Sequence, residues 1–386
     1  MQAERRASLP VREQTAGMKP EIRVDQIGSY VRPDKLLDAR DLFAERKITR
    51  EQLRQVEDEA ILDCLQMQKN AGMRIFGDGE FRRDSWMTPL SEAVEGFVDH
   101  YQVEYVDRPD GGKEKIVWHQ KPVKGKLRQE RRLTQVDAAF LKNHAPGPFK
   151  ITLPSPLCMR RSFKEGLTDT AYTNDRALIK DAADITKGEV SKLCDEGVSY
   201  IQLDEGFLAY VREEFRDGLK KKGLDPDREL QKDIDSENEV YQVANDKGVT
   251  TALHICRGSR VTFHKGIGAY DWLAERLFTG LHVSRYLLEY DDTGRVGGYE
   301  PLRHLPKGKV VVLGLVSSKD APLEQPENLM REVEKASKFC SVDQLALSSQ
   351  CGFHAAADRN GAHITADQQR RKLELMVNVA EKIWGH

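Results

Sequence analysis

Eight short apolar runs, each trailed by a longer stretch of different periodicity, constrain this chain more than any other feature. The runs are Arg23–Ile27, Arg74–Gly77, Phe149–Leu153, Tyr200–Leu203, Val249–Ile255, Arg285–Leu288, Val310–Leu315 and Gln344–Ser348. Each has the length of a buried strand. Between them, Arg50–Ala71 carries a 3.6-residue apolar period through Leu53, Val56, Ala60, Ile61, Cys64 and Leu65. Asp175–Glu196, Leu230–Asp246, Gln325–Phe339 and Thr365–Ile383 behave likewise. Strand and helix in alternation predict an α/β chain with a parallel sheet and crossover helices. Eight such units predict a closed (β/α)8 TIM barrel. An open doubly wound sheet is the alternative, and it is weakened because no Gly-x-Gly-x-x-Gly follows the first run.

One segment, about 89–147, breaks the rhythm. Val103–Val106 and Lys115–Trp118 flank Asp110-Gly111-Gly112, which reads as a β-hairpin insertion after the second strand. Its basic run, Lys121 to Arg132, reads as a solvated face rather than an anion site. Residues 21–386 are therefore expected to form a single catalytic barrel, which 386 residues supply with ample core. Residues 1–20 are polar, mixed in charge and lack an apolar h-region, as expected of a disordered tail rather than a secretory signal.

A net charge of −2 gives no electrostatic case for nucleic acid or an anionic membrane as partner. No run approaches the roughly 18 apolar residues of a spanning helix. Six scattered cysteines fit reduced thiols better than a disulfide framework, so a cytoplasmic location is expected.

In a (β/α)8 barrel the chemistry gathers at the carboxyl ends of the strands. In chain order those ends carry Gly28 and Ser29, Asp78 and Glu80, Ser155, Asp204 and Glu205, His254 and Cys256, Glu289, Ser317-Ser318-Lys319, and Cys351. His254 and Cys256 lie two apart and leave a strand on one face. With Cys351 they offer an imidazole and two thiolates, borderline-soft donors that favour zinc. Glu289, one strand onward, is the natural fourth ligand, or else an acceptor bonded behind the ligands. A carboxylate is displaceable by an incoming thiol, which the metal then holds as thiolate. Such a site suits attack on an alkyl carbon. Asp204 and Glu80 suit a substrate ammonium, or else ion pairs tying the barrel mouth together. Gly28 and Ser29 offer donors for a carboxylate.

At these residues the sequence resembles the catalytic barrel of cobalamin-independent methionine synthase. The matching pieces are Ile27-Gly28-Ser29, Gly79-Glu80-Phe81-Arg82-Arg83-Asp84, Ile201-Gln202-Leu203-Asp204-Glu205, His254-Ile255-Cys256, Glu289 and Gln350-Cys351-Gly352. They run in the same order from about residue 21 to the C-terminus. The resemblance implies zinc on His254, Cys256, Glu289 and Cys351. It also implies the amino group of homocysteine on Glu80 and Asp204, and its carboxylate on Ile27, Gly28 and Ser29.

Three features depart from the full-length enzymes, which have two barrels where this chain has room for one. Gly206 follows the Asp-Glu pair where proline is usual. Ser317-Ser318-Lys319 stands where those enzymes place a histidine in the loop after the seventh strand. The chain thus resembles a short single-barrel branch. The expected function is zinc-dependent methyl or alkyl transfer to a zinc-activated thiol, most readily homocysteine to methionine. The methyl or alkyl donor stays open between a folate, a methylcorrinoid protein, a sulfonium compound and an epoxide. The alternatives are a zinc thiol alkyltransferase like epoxyalkane:coenzyme M transferase and a zinc-free lyase like uroporphyrinogen decarboxylase. The lyase leaves the His-x-Cys and distant Cys without a role.

Overall fold

The computed structural model describes residues 22–107, 113–118, 120–257, 268–357, 359 and 362–385. The tail 1–20 and the turn Asp110-Gly111-Gly112 lie outside the described residues. Ten strands are present among the described residues. Four lie in the insertion: β1 (Val94–Phe97), β2 (Gln102–Asp107), β3 (Lys113–Trp118) and β4 (Val123–Gln129). Six make the main sheet: β5 (Lys150–Pro154), β6 (Tyr200–Asp204), β7 (Thr250–Ile255), β8 (Arg285–Glu289), β9 (Val310–Val316) and β10 (Leu345–Ser349). The six pair in parallel in sequence order, β5 to β10. They are buried almost throughout, which is why their sequences read as continuous apolar runs rather than alternating ones.

The first two expected strands shrink to single bridges, Val24 with Leu347 at the β10 edge and Phe76 with Phe149 beside β5. The reason is local. The backbone groups that would extend each ladder are taken by side chains. Gln68 accepts from the Gly77 N–H at 3.0 Å and donates to the Gly77 carbonyl at 2.8 Å. Asp25 Oδ1 accepts from the Gln26 N–H at 2.9 Å, and Gln202 Nε2 donates to the Ile27 carbonyl at 2.6 Å. The two segments meet where the Tyr30 N–H donates to the Gly79 carbonyl at 3.2 Å. Eight positions therefore follow one another in the order of a (β/α)8 barrel.

The interior has its own small core of Ile27, Ile75, Tyr200, Ala252, Leu287, Val312 and Ala346, separate from the large cluster that packs helices on the sheet. Beside it lies a polar layer. Asp25 accepts from Lys150 Nζ at 2.8 Å and from the Tyr200 hydroxyl at 2.7 Å, and Arg285 Nε lies 3.2 Å away. Lys150 also reaches Gln202 Oε1 at 2.7 Å. One carboxylate thus joins the first segment to β5, β6 and β8. Burial pushes the Asp25 carboxyl up, but Lys150 and Arg285 outweigh it and hold it below the usual value.

Helices at Arg50–Asn70, Asp175–Asp195, Pro226–Asn245, Pro326–Ala336 and Ala366–Trp384 match the periodic stretches. Thr49 with Gln52 and Thr365 with Gln368 form reciprocal capping boxes that fix two of the starts. The insertion is more than the expected single hairpin. β2 and β3 pair from Gln102↔Trp118 to Asp107↔Lys113, and β1 pairs with β4 outside them with a register shift between Glu95 and Phe97. Its basic run is paired with this chain's own acids: Arg132 with Glu189 and Glu196 at 2.7 Å each, and Lys126 with Asp181 at 3.4 Å. Among the described residues no helix is long and apolar enough to cross a membrane.

Candidate active site

Two clusters form at the carboxyl ends of the strands. The first is built on β7. Ala252 points into the interior core, and a period of two puts His254 on that same face. The His254 Nδ1 lies 3.0 Å from the Leu287 carbonyl on β8. A carbonyl only accepts, so Nδ1 carries a proton and Nε2 is the nitrogen left to face a ligand once its own proton is displaced. Nε2 is buried without a hydrogen-bond partner among the described residues. Cys256 follows the end of β7 and Cys351 the end of β10, and their sulfurs are 3.4 Å apart. One ligand atom from each of His254, Cys256 and Cys351 falls within 4.8 Å of the others.

The electrostatics of this cluster favour a cation. Burial opposes an imidazolium at His254, yet the Cys351 sulfur, Asp204 and Glu289 push it up to about 9. The Cys351 thiol is held well below its ordinary value by the hydrogen bond from Cys256, against burial, with help from His254 and Lys319. An orphaned buried imidazole nitrogen beside two sulfurs in a negative field is a donor set that fits a thiophilic dication such as zinc.

Glu289 lies outside that group of three. Its Oε1 accepts from the Arg257 N–H at 2.5 Å. Its Oε2 accepts from Arg295 Nη2 at 3.0 Å and lies 3.5 Å from Lys319 Nζ.

The second cluster is an acidic cradle. Gly79 and Glu80 both take left-handed backbone, φ +70° and +60°, and Glu205 does so at +67°. Two non-glycine residues in that region, each just past a strand position, mark strain held by surrounding structure. The Glu80 N–H is caught by Asp78 Oδ1 at 2.9 Å, and its carbonyl accepts from Arg32 Nη2 at 2.8 Å. Glu80 Oε1 accepts from the Thr152 hydroxyl at 2.7 Å, and Arg83 is 3.5 Å away. Glu80 Oε2, Asp78 Oδ2 and Glu205 Oε2 are buried acceptors without hydrogen-bond partners among the described residues. Glu205 pairs through its other oxygen with Arg161. Asp204 accepts from Gln202 Nε2 at 2.6 Å, and burial, reinforced by Glu80, raises its carboxyl to about 7.

Glycines let these groups approach. A Cβ on Gly28 would sit 2.5 Å from Glu80 Oε1, and one on Gly352 would sit 2.1 Å from the Ser29 hydroxyl. Gly28 thus borders the acidic cradle, while Ser29 borders the Cys351-Gly352 turn. Asp204 is the β6 partner of His254 on β7, linking the two clusters. The Ile27 side chain belongs to the interior core, and its carbonyl accepts from Gln202 Nε2 at 2.6 Å.

The structure therefore brings together His254, Cys256 and Cys351, and brings Gly28 to Glu80, with Ser29 and Asp204 at the seams. It ties Glu289 to cations instead. Sequence reasoning missed Arg295 and Thr152. Arg295 carried one weak signal, its spacing four residues after Asp291 on a short helical turn, and the two form an ion pair at 3.1 Å.

The chain matches, over residues 23–382, the family described as the cobalamin-independent synthase catalytic domain. The uncharacterized protein YxjG of Bacillus subtilis (strain 168) is 34% identical over 377 residues, covering 95% of this chain and 96% of that protein. The methionine synthase of Saccharolobus islandicus (strain Y.G.57.14 / Yellowstone #1) is 25% identical over 332 residues, 85% of this chain and 86% of that one. The solved B12-independent methionine synthase from Shewanella sp. W3-18-1, in complex with selenomethionine, shares the fold. Its TM-score is 0.69 at 22% identity, over 94% of this chain and 98% of that one.

Proposed function

Because the chain belongs to the family of the cobalamin-independent synthase catalytic domain, we propose that it is a methyltransferase whose acceptor is the sulfur of homocysteine or a closely related amino-acid thiol. The observation that carries this reading is the His254–Cys256–Cys351 group, its ligand atoms within 4.8 Å of one another, joined through Asp204 to a cradle of unpartnered carboxylate oxygens. His254, Cys256 and Cys351 would hold a zinc ion. That ion would supply a centre that lowers the pKa of an incoming thiol and keeps it as the thiolate nucleophile.

The remaining work falls to the side chains. Glu80 Oε2 is buried without a donor among the described residues, and a substrate ammonium would supply one there, with Asp204 as the second carboxyl. Asp204, raised by burial, is positioned between that ammonium and the sulfur end. Ser29, with the backbone of Ile27 and Gly28, receives the carboxylate. Fixing both ends of the amino acid aims its sulfur at one point, so a methyl carbon approaches in line. The S–CH3 bond forms as the donor–CH3 bond breaks and its electron pair leaves with the donor, the thiol proton having passed to solvent when the thiol binds as thiolate. We read residues 21–386 as one catalytic barrel with the 89–147 insertion at its edge.

The test is metal analysis of the purified protein followed by product mass from the zinc-loaded enzyme with homocysteine and a panel of methyl donors. Methionine formed at one zinc per chain supports the reading. A chain that takes up no zinc, or methylates no thiol with any donor, overturns it.

A further inference from the structure

Gln202 is fully buried and stands between the groups assigned to the two ends of the amino acid. It lies two residues before Asp204 on β6, so both side chains leave the strand on one face. Its Nε2 donates to Asp204 Oδ1 and to the Ile27 carbonyl, each at 2.6 Å. Its Oε1 accepts from Lys150 Nζ at 2.7 Å. An ammonium only donates, and a carboxylate and a carbonyl only accept, so the amide has one workable orientation. Turned over, it would set its oxygen against two acceptors and its NH2 against Lys150. Lys150 is fixed in turn by Asp25 Oδ1 at 2.8 Å, and Asp25 Oδ2 by the Tyr200 hydroxyl at 2.7 Å. The group that orients the amide is therefore itself locked. Ile27, Gly28 and Ser29 lie beyond the Val24–Leu347 bridge and outside any strand among the described residues. The Gln202 contact fastens that segment to β6 where no ladder does.

From this we infer that Gln202 is a positioning residue for amino-acid recognition. It turns Asp204 so that Oδ2 meets the substrate ammonium, and it sets the distance from that carboxyl to the Ile27-Gly28-Ser29 segment that receives the substrate carboxylate. This deepens, and rests on, the proposed amino-acid thiol site. Gln202 acts through Asp204 and Ile27 rather than on the reacting sulfur. A thiol held by its sulfur alone gains nothing from that alignment. An α-amino acid gains at both ends, because binding groups already fixed need not be ordered when the ligand arrives. The polar layer beneath the site thus favours an amino acid over a simple thiol.

The test is calorimetric titration of the zinc-loaded native and Gln202→Met proteins with three thiols. They are homocysteine, γ-mercaptobutyrate, which lacks the amino group, and homocysteamine, which lacks the carboxylate. Each brings the same sulfur, so ratios of their affinities cancel any effect of the variant on the metal. Methionine keeps the length and volume of the glutamine while removing both donors. The preference for homocysteine over γ-mercaptobutyrate should fall about ten-fold and that over homocysteamine about three-fold, as expected for losing one charged and one neutral hydrogen bond. An equal fall in affinity for all three thiols overturns the inference. Should the variant fail to fold or to load zinc, the crystal structure of the zinc-loaded native protein with homocysteine decides. An ammonium on Asp204 Oδ2, with Oδ1 still bonded to Gln202, supports the inference. An ammonium on Oδ1, with Gln202 displaced, overturns it. A native protein with no preference for homocysteine over either truncated thiol sinks the amino-acid reading and this inference together. Native preferences that survive Gln202→Met sink this inference alone.

Discussion

The His254 imidazole is fixed by the Leu287 carbonyl at 3.0 Å, one strand over on β8. That single bond chooses the tautomer and aims Nε2 at the two cysteine sulfurs. The sheet thus determines which nitrogen is available for a ligand bond, and the chemistry of the site depends on a parallel pairing between β7 and β8.

His254→Ala and Cys351→Ser each remove one of three donors. Both proteins should keep native far-ultraviolet circular dichroism and lose bound zinc on dialysis, read by elemental analysis against the native chain. Stoichiometric zinc retained in either would reject the three-ligand assignment.

Gly28→Ala should weaken homocysteine binding without changing zinc content. The added Cβ meets Glu80 Oε1 at 2.5 Å and pushes that carboxylate off the Thr152 hydroxyl. A loss of about ten-fold in Kd, roughly 1.4 kcal/mol, is expected by calorimetric titration of the zinc-loaded protein. Unchanged affinity would separate Glu80 from the amino group.

Asp25→Ala leaves Lys150 and Arg285 buried without their shared carboxylate. A destabilisation of about 3–5 kcal/mol follows, measured by urea unfolding at neutral pH. The sign with pH is fixed by the depressed Asp25 carboxyl. Its stabilisation is full above the unfolded value of 3.8 and disappears as pH falls through the lower folded value. The gap between native and variant should therefore narrow on the acid side.

Glu237 behaves in the opposite sense. It is buried, accepts from the Ser155 hydroxyl at 2.5 Å, and burial raises its carboxyl to about 8. The folded state favours the protonated form. Its contribution is full below the unfolded value of 4.5 and is lost as pH rises towards 8. Glu237→Gln stays neutral, so between pH 5 and pH 8 the native protein should lose at least about 1 kcal/mol relative to the variant. Parallel urea stability curves at the two pH values would refute this.

The sequence carried the six continuous apolar strands well, because strands buried on both faces leave no polar alternation to misread. It carried the first two segments poorly. Arg23–Ile27 and Arg74–Gly77 have the composition of strands, but the Asp25 side chain captures the N–H of its neighbour Gln26, and Gln68 and Gln202 capture backbone groups 9 and 175 residues away. His254, Cys256 and Cys351 were legible because ligand chemistry uses few residue types at strand ends. The environment of Glu289 was not, since ion pairs between β8, the turn after it and the loop after β9 depend on tertiary placement. Left-handed backbone at Glu80 and Glu205 leaves no mark in the residue type.

The interior core and the Asp25 layer act as a floor. Ile27, Tyr200, Ala252, Leu287, Val312 and Ala346 pack together, and Ala252 stands two residues before His254 on the same face of β7. A close-packed base of this kind transmits strain rather than absorbing it, so a change of volume at Ala252 or Leu287 should be felt at the ligand atoms above.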